Sequence, residues 1–157
     1  MSLTSLVAPP PGCTSPALLP ALLLQQGLIA GGLADGSVCI WNPARVIGHK
    51  AEAGGQLLAR LQKHQGAVRG LEFNPFSPKL LASGGADGDL CIWDVGAPTQ
   101  PSLYPPMKSG QQATEIASLA WNKKVQHILA TCTAAGTVVV WDLKKQRPVI
   151  SFKDPSG

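Results

Sequence analysis

Three segments of the chain repeat one pattern of apolar, small and polar residues. They read "LIAGGLADGSVCIWN" (28–42), "LLASGGADGDLCIWD" (80–94) and "ILATCTAAGTVVVWD" (128–142), and each ends shortly after a tryptophan: Trp41, Trp93 or Trp141. Within a segment, a short apolar run leads through small residues to a glycine-containing turn, and an alternating apolar run follows. Alternation with a period of two, interrupted by a turn with glycine, predicts a β-hairpin in each segment.

Two further strands flank each hairpin. Val68, Leu71 and Phe73 precede the second hairpin with imperfect alternation, and Ile116, Leu119 and Trp121 stand 48 positions later, before the third. The stretches "QLLARLQ" (56–62) and "PVISF" (148–152) follow hairpins as outer strands. Four short antiparallel strands in a repeat of about 40 to 50 residues are typical of one propeller blade. The sequence therefore predicts an all-β fold, a partial β-propeller of about three blades.

The predicted blades divide the chain into four parts. Residues 28–62 form the first blade, 63–107 the second and 108–157 the third. Residues 1–27 are a Pro-rich start, in which residues 5–9 are a candidate inner strand of the first blade and 10–20 an insertion. The stretches 43–55 and 96–112 are rich in Gly, Pro and polar residues, so we interpret them as surface loops between blades.

Composition excludes several classes of function. The net charge of +4 is spread over 13 basic and 9 acidic residues, without a run that would indicate nucleic-acid binding. The apolar stretch "ALLPALLL" (17–24) is interrupted by Pro20 and is shorter than the roughly 20 residues of a membrane span. The four cysteines lack the spacing of a zinc site, and Cys39 and Cys91 are predicted to be reduced core thiols. No cofactor or metal site is predicted, because "GGADG" lacks the Lys of a phosphate loop and "DGD" lacks the final Glu of a calcium loop.

The glycine-rich turn, the endings "IWD" and "VWD" and a histidine upstream of the second hairpin resemble WD repeats. In that family a His, a Ser or Thr, an Asp and the Trp form a hydrogen-bonded chain that stabilises the blade. The resemblance implies this structural role for four residues of the second blade: His64, Ser83, Asp87 and Trp93.

The other two repeats keep only part of this set. The first has Asp35 and Trp41, with Gly31 at the Ser position. The third has Thr131 and Trp141, whereas Gln112 and Ala135 stand at the His and Asp positions.

A hydrolase is the alternative interpretation of the same residues, since Ser, His and Asp are the side chains of acyl transfer. However, no Gly-x-Ser-x-Gly motif surrounds Ser83, and the set is incomplete in the other repeats. We therefore predict a protein that is not an enzyme. A WD-repeat adaptor of another pathway, such as a ubiquitin ligase or a chromatin complex, is a further alternative.

Two longer stretches resemble one particular WD-repeat family. "GLIAGGLADGSVCIWNPARVI" (27–47) and "EIASLAWNKKVQHILATCTAAGTVVVWDLKKQRPVI" (115–150), with its "WNKKVQHILA", are similar to the amino-terminal propeller of the large outer-coat subunit of COPII vesicles. The resemblance implies a structural scaffold for vesicle budding in transport from the endoplasmic reticulum to the Golgi.

The same resemblance implies partners and a location. The partners would be a smaller WD-repeat coat subunit, inner-coat subunits and further copies at the vertices of the cage. The location would be cytoplasmic, on exit sites of the endoplasmic reticulum and on COPII vesicles, with membrane contact only through the coat. Seven blades are expected in that family, so we expect this chain to be a fragment of a larger propeller.

Overall fold

The computed structural model describes residues 21–25, 27–42, 57–105, 107 and 114–153, which form twelve β-strands. The strands build three antiparallel sheets of four strands each. The predicted all-β fold of propeller blades is therefore confirmed. None of the residues that the structure describes forms a helix with the length and hydrophobicity needed to cross a bilayer.

The first sheet contains β1 (Ala21–Gln25), β2 (Leu28–Gly32), β3 (Ser37–Trp41) and β4 (Leu57–Gln62), in that spatial order. Its inner strand is β1, which pairs with β2 along its whole length. The inner strand thus comes from the apolar stretch before the first hairpin. The earlier candidate, residues 5–9, lies outside the described residues.

The second sheet contains β5 (Val68–Phe73), β6 (Leu80–Gly85), β7 (Leu90–Asp94) and β8 (Ser102–Leu103), again in chain order. The interpretation of 96–112 as a surface loop between blades was wrong for residues 102–103 and 107, because β8 pairs with the end of β7 and Met107 forms a bridge with Leu90. Prolines at positions 101 and 105 flank this strand, and a residue without an N–H cannot extend the ladder. A two-residue strand has no alternation that a sequence pattern could reveal.

The third sheet contains β9 (Ile116–Trp121), β10 (Ile128–Thr133), β11 (Thr137–Asp142) and β12 (Arg147–Lys153). In each sheet the central hairpin closes through a glycine with positive φ: Gly36 (84°), Gly88 (79°) and Gly136 (73°). The N–H of Gly88 donates to the carbonyl of Gly85 over 3.0 Å. A left-handed residue at this point lets a tight turn join two twisted strands, and glycine adopts that conformation without steric cost.

The hydrophobic core lies between neighbouring sheets. One cluster joins side chains of the first sheet, such as Val38 and Ile40, to Leu81 and Trp93 of the second. A second cluster joins Ala82, Leu90 and Ile92 to the third sheet: Ile116, Trp121, Leu129, Val139 and Trp141. Because successive residues of a strand point to opposite faces, the middle strands of the second sheet, β6 and β7, contribute to both clusters.

Within the described part of the chain, no sheet covers one face of the third sheet. Val140 pairs with Ile150 and Val138 pairs with Phe152 across β11 and β12, and the side chains of Ile150 and Phe152 are each 53% exposed. On the second sheet, Leu90 and Ile92 of β7 occupy the positions that Val138 and Val140 have on β11. The third sheet buries both of them. The outward face of the last described blade therefore presents an apolar surface.

Candidate structural site in the second blade

Four side chains from different parts of the second blade meet at one place. His64 precedes β5, Ser83 lies on β6, Asp87 lies in the β6–β7 turn and Trp93 lies on β7. Ser83 and Trp93 are on neighbouring antiparallel strands, and the turn returns Asp87 towards the start of the blade. The four residues that the sequence singled out are thus in contact, although up to 29 positions separate them.

The hydrogen bonds run in a single direction along this set. The indole N–H of Trp93 donates to Ser83 Oγ over 2.8 Å. Ser83 Oγ lies 2.8 Å from His64 Nε2, and His64 Nδ1 lies 3.1 Å from Asp87 Oδ1. If Ser83 donates its hydroxyl proton to Nε2, Nδ1 carries the ring proton and donates it to Asp87. Every donor then has an acceptor with a neutral imidazole.

The carboxylate of Asp87 also fixes the surrounding backbone. Its Oδ2 accepts the N–H of Gln65 over 2.8 Å, and its Oδ1 accepts the N–H of Asp89 over 3.2 Å. The first bond holds the segment before β5 and the second holds the hairpin turn. Asp87 therefore connects two loops at the same end of the blade.

Burial decides what this arrangement can do chemically. The connectivity from Ser through His to Asp is the connectivity of an acyl-transfer triad. However, Ser83 is 0% exposed, and the indole of Trp93 occupies its oxygen. A substrate carbonyl has no route to this oxygen in the folded blade. The arrangement can satisfy buried polar groups, which stabilises a core.

In the first blade, the aspartate at the turn position, Asp35, has different partners. Asp35 Oδ1 accepts the N–H of Ser37 over 2.9 Å, and Oδ2 forms an ion pair with Arg60. The backbone hydrogen bond from Ser37 is the main cause that lowers the pKa of Asp35, and the Arg60 guanidinium adds to it. Trp41 is buried with Leu33 and Cys39, and Gly31 provides no hydroxyl for it. Arg60 was not among the residues that the sequence pattern indicated.

The third blade retains two members of the set, Thr131 and Trp141. The indole N–H of Trp141 donates to Thr131 Oγ1 over 2.9 Å. Ala135 occupies the turn position and offers no carboxylate, and position 112 lies outside the described residues. A cavity of about 220 Å³ borders Thr131, Ala135 and Trp141.

A second polar contact, which sequence reasoning missed, joins the second and third blades. Glu72 Oε2 accepts the backbone N–H of Trp121 over 2.6 Å, and Oε1 lies 2.7 Å from Lys123 Nζ. The indole N–H of Trp121 donates to the Glu72 carbonyl over 3.0 Å. Along β5, Glu72 alternates with apolar residues and resembles a solvent-facing position, so no local signal identifies its partners.

Two of the three described cysteines are buried in the folded chain. Cys39 and Cys91 are buried thiols, and burial together with the carboxylates of Asp89 and Asp87 raises the pKa of Cys91 to about 12. A thiol with that pKa is protonated near neutral pH and is a poor nucleophile. Among the residues that the structure describes, no three His, Cys, Asp or Glu side chains are grouped as metal ligands would be.

Comparisons with known proteins agree with this architecture. The family model "WD domain, G-beta repeat" matches residues 55–94. Two solved structures of computationally designed proteins share the fold. Ika8 has a TM-score of 0.63 at 25% identity, covering 85% of this chain and 36% of its own. Ika4 has a TM-score of 0.65 at 24% identity, covering 88% of this chain and 74% of its own.

Curated relatives match nearly the whole described region. "Protein transport protein SEC31 homolog B" of Arabidopsis thaliana is 51% identical over 130 residues, 82% of this chain and 12% of that protein. "Protein transport protein Sec31B" of Mus musculus is 43% identical over 87% of this chain and 11% of that protein. "Protein transport protein SEC31" of Dictyostelium discoideum is 40% identical over 83% of this chain and 10% of that protein.

The chain spans about a tenth of the length of these relatives. The matches nevertheless cover more than four-fifths of this chain. The chain therefore consists of WD repeats folded as a partial β-propeller, and it is similar in sequence to the Sec31 protein transport proteins.

Proposed function

We propose that the chain is part of the propeller of a COPII outer-coat subunit and acts as a structural scaffold in transport from the endoplasmic reticulum to the Golgi. The observation that carries this proposal is the 51% identity to a Sec31 homologue over 130 residues. Such identity exceeds what a shared fold requires, because the two designed proteins cover a similar share of this chain at only 24% and 25% identity. The resemblance therefore concerns more than the fold.

The proposed partners and location follow from the same relationship. The chain would act with a smaller WD-repeat coat subunit, with inner-coat subunits and with further copies at cage vertices. It would be cytoplasmic, on exit sites of the endoplasmic reticulum, and would reach the membrane only through the coat. The exposed apolar face of the third blade supports a role as one part of a larger assembly.

We further propose that His64, Ser83, Asp87 and Trp93 stabilise the second blade and do not catalyse a reaction. Two observations support this assignment: Ser83 is completely buried, and its oxygen accepts the indole N–H of Trp93. The remaining members, Asp35 with Trp41 and Thr131 with Trp141, would have the same role in the other blades. An esterase would hydrolyse an activated ester in a reaction that Ser83→Ala abolishes without loss of fold, and we expect no such turnover.

A chimeric protein tests the proposed function. The matching 136 residues of the Dictyostelium relative would be replaced by the corresponding part of this chain, in cells depleted of their own copy. We expect the chimera to restore secretion of a reporter and to collect at exit sites of the endoplasmic reticulum. Both readouts require the coat to assemble, so correct folding of the chimera would not be enough to produce them.

The control chimera carries three blades of a WD-repeat adaptor from another pathway in the same position. If both chimeras restore secretion equally, any propeller suffices and the specific assignment to the coat is wrong. If this chain's chimera accumulates to a normal level but neither localises nor restores secretion, the proposal is also overturned.

A further inference from the structure

Exposed lysines gather at one edge of the second and third blades. The loops 74–79 and 122–127 and the turn 143–146 all lie at this edge, since antiparallel strands place the end of one strand beside the start of the next. Asn74 Nδ2 donates to the Gln126 carbonyl over 2.8 Å, which joins the two loops. We call this surface the lysine edge, and its exposed lysines are Lys79, Lys123, Lys124, Lys144 and Lys145.

The carboxylates near the lysine edge are already bound. Glu72 holds Lys123 and the backbone of Trp121. Asp142 accepts the N–H groups of Lys144 and Lys145, and Asp94 accepts the N–H of Gly96 over 2.8 Å. Of the five lysines, Lys123 pairs with Glu72 and Lys145 lies 3.8 Å from Asp142. Five ammonium groups against three carboxylates still give the edge a net positive charge.

An apolar cavity between the two blades borders this edge. Its volume is about 220 Å³, and its walls include Leu80, Ile92, Tyr104, Met107 and Leu143. An apolar cavity of about 150 Å³ is large enough to bind benzene, so this one has room for a single large apolar side chain. Tyr104 forms part of the cavity wall and is itself 43% exposed.

The polar rim of the cavity has one sign of charge. His127 and Lys144 border it together with Gln126 and Gln146, and no carboxylate is among its described lining residues. A ligand that fills the cavity therefore meets a positive rim. Charge complementarity requires a negative group beside the apolar one.

From this juxtaposition we propose that the groove between the second and third blades binds a short acidic peptide segment of a protein partner. One Leu or Phe side chain of the segment fills the cavity, and neighbouring Asp or Glu side chains pair with Lys144 and the other lysines of the edge. The apolar anchor provides most of the affinity, because buried side chains in a pocket dominate such interfaces. The lysines provide orientation and a faster association.

The cavity favours a peptide over an anionic membrane surface. Lipid headgroups would pair with the lysines but would leave the apolar cavity between the blades unfilled. A peptide satisfies both features with residues that are adjacent in its sequence. Dependence on the cavity wall is therefore the measurement that separates the two ligands.

The experiment uses the full chain, fluorescently labelled and at nanomolar concentration, where self-association is least. It is titrated with a synthetic decapeptide that has one Phe between two stretches of Asp and Glu, and binding is measured by microscale thermophoresis. We expect a Kd on the order of 10 µM that weakens with added salt. Tyr104→Ala and Lys144→Glu should each weaken binding by about tenfold or more.

Lys63→Glu is the matched charge control, because Lys63 is exposed and precedes β5, at the opposite end of the blade. It should change the Kd by less than about twofold. Circular dichroism checks the fold of each variant, and the exposed position of Lys144 keeps the test valid if Tyr104→Ala does not fold. A decapeptide with Ser in place of Phe should not bind measurably.

Two outcomes would overturn the proposal. Equal binding of the Phe and Ser peptides would show that charge alone attracts them and that the cavity is not a site. Binding to vesicles with 30% phosphatidylserine without binding to the Phe peptide would identify the lysine edge as a membrane-facing surface.

Discussion

At the scale of single residues, the direction of the hydrogen bonds around Ser83 is informative. The indole of Trp93 donates to Ser83. When the hydroxyl proton of Ser83 is directed to His64 Nε2, the ring proton of His64 lies on Nδ1 and faces Asp87. This order leaves no buried donor or acceptor without a partner. Removal of one member exposes the others to the full cost of an unpaired buried polar group.

His64→Ala should lower the free energy of unfolding by about 1 to 3 kcal/mol in a complete propeller, because Ser83 and Asp87 then lose their shared partner. Urea unfolding of the chimeric propeller measures this change. Gln65→Ala is the control, since Gln65 is exposed and contributes only its backbone N–H to Asp87. Equal stability of His64→Ala and Gln65→Ala would contradict the structural role of the histidine.

The first blade should be sensitive to acid through Asp35. The folded pKa of Asp35 lies below its unfolded value of about 4, so its contribution to stability is present above that pH. The contribution is lost as the pH falls through the lowered folded pKa. Asp35→Asn should therefore reduce the dependence of the urea midpoint on pH below about pH 4.

Arg60→Gln separates the two causes of the lowered pKa of Asp35. It removes the ion pair but keeps the hydrogen bond from the Ser37 backbone, so the pH dependence should decrease less than in Asp35→Asn. An unchanged pH dependence in Asp35→Asn would show that Asp35 does not contribute to acid sensitivity.

At the scale of elements, the contact between β5 and β9 determines how the second and third blades stack. Glu72 on β5 binds the Trp121 backbone and Lys123, and its own carbonyl accepts the Trp121 indole. Arg69 on the same strand pairs with Glu115 over 2.8 Å. The two carboxylates differ in burial, because Glu72 is 24% and Glu115 39% exposed.

Glu72→Ala should destabilise the propeller by about 1 to 3 kcal/mol, since the N–H of Trp121 loses its acceptor between two blades. Glu115→Ala should cost about 1 kcal/mol or less, as expected for an exposed ion pair. Urea unfolding of both variants gives the comparison. Glu72→Gln retains an acceptor and should recover part of the loss. If Glu72→Ala and Glu115→Ala were equally destabilising, the bond to the Trp121 backbone would be irrelevant to stability.

At the scale of the whole molecule, the three sheets form a stack whose stability comes from the surfaces between them. Val38 and Ile40 are buried by the second sheet, and Leu90 and Ile92 by the third. On the third sheet, the equivalent surface contains Val140 and Ile150 and remains open. A stack of repeats buries its apolar faces only where a neighbour is present.

The chain by itself should therefore associate at micromolar concentration through this open face. Phe152→Lys should reduce the association, because a charge would have to be buried against an apolar surface. Ser151→Lys is the control on the same strand, since Ser151 pairs with Val139 and points to the opposite face. Sedimentation velocity distinguishes the variants, and a monodisperse parent chain that melts cooperatively would contradict the prediction.

Local chemistry made much of the fold predictable from the sequence. The alternation around Trp93 and the glycine at position 88 each constrain their immediate neighbours, so the hairpins lie where the pattern predicted them. Strand β8 was missed because Ser102 and Leu103 carry no periodicity. The contact between Glu72 and Trp121 was missed because 49 positions separate the two residues and only the stacking of sheets brings them together.

The sequence by itself determined the three repeats, their glycine turns and the residue types at the ends of the strands. These features depend on period-two alternation and on positive φ, which are properties of short segments. Only the tertiary structure decided that Ser83 is inaccessible, that the lysines share one edge with an apolar groove, and that one face of the third blade is open. Burial and charge clustering depend on which sheets lie side by side, and residues that are distant in the sequence determine them together.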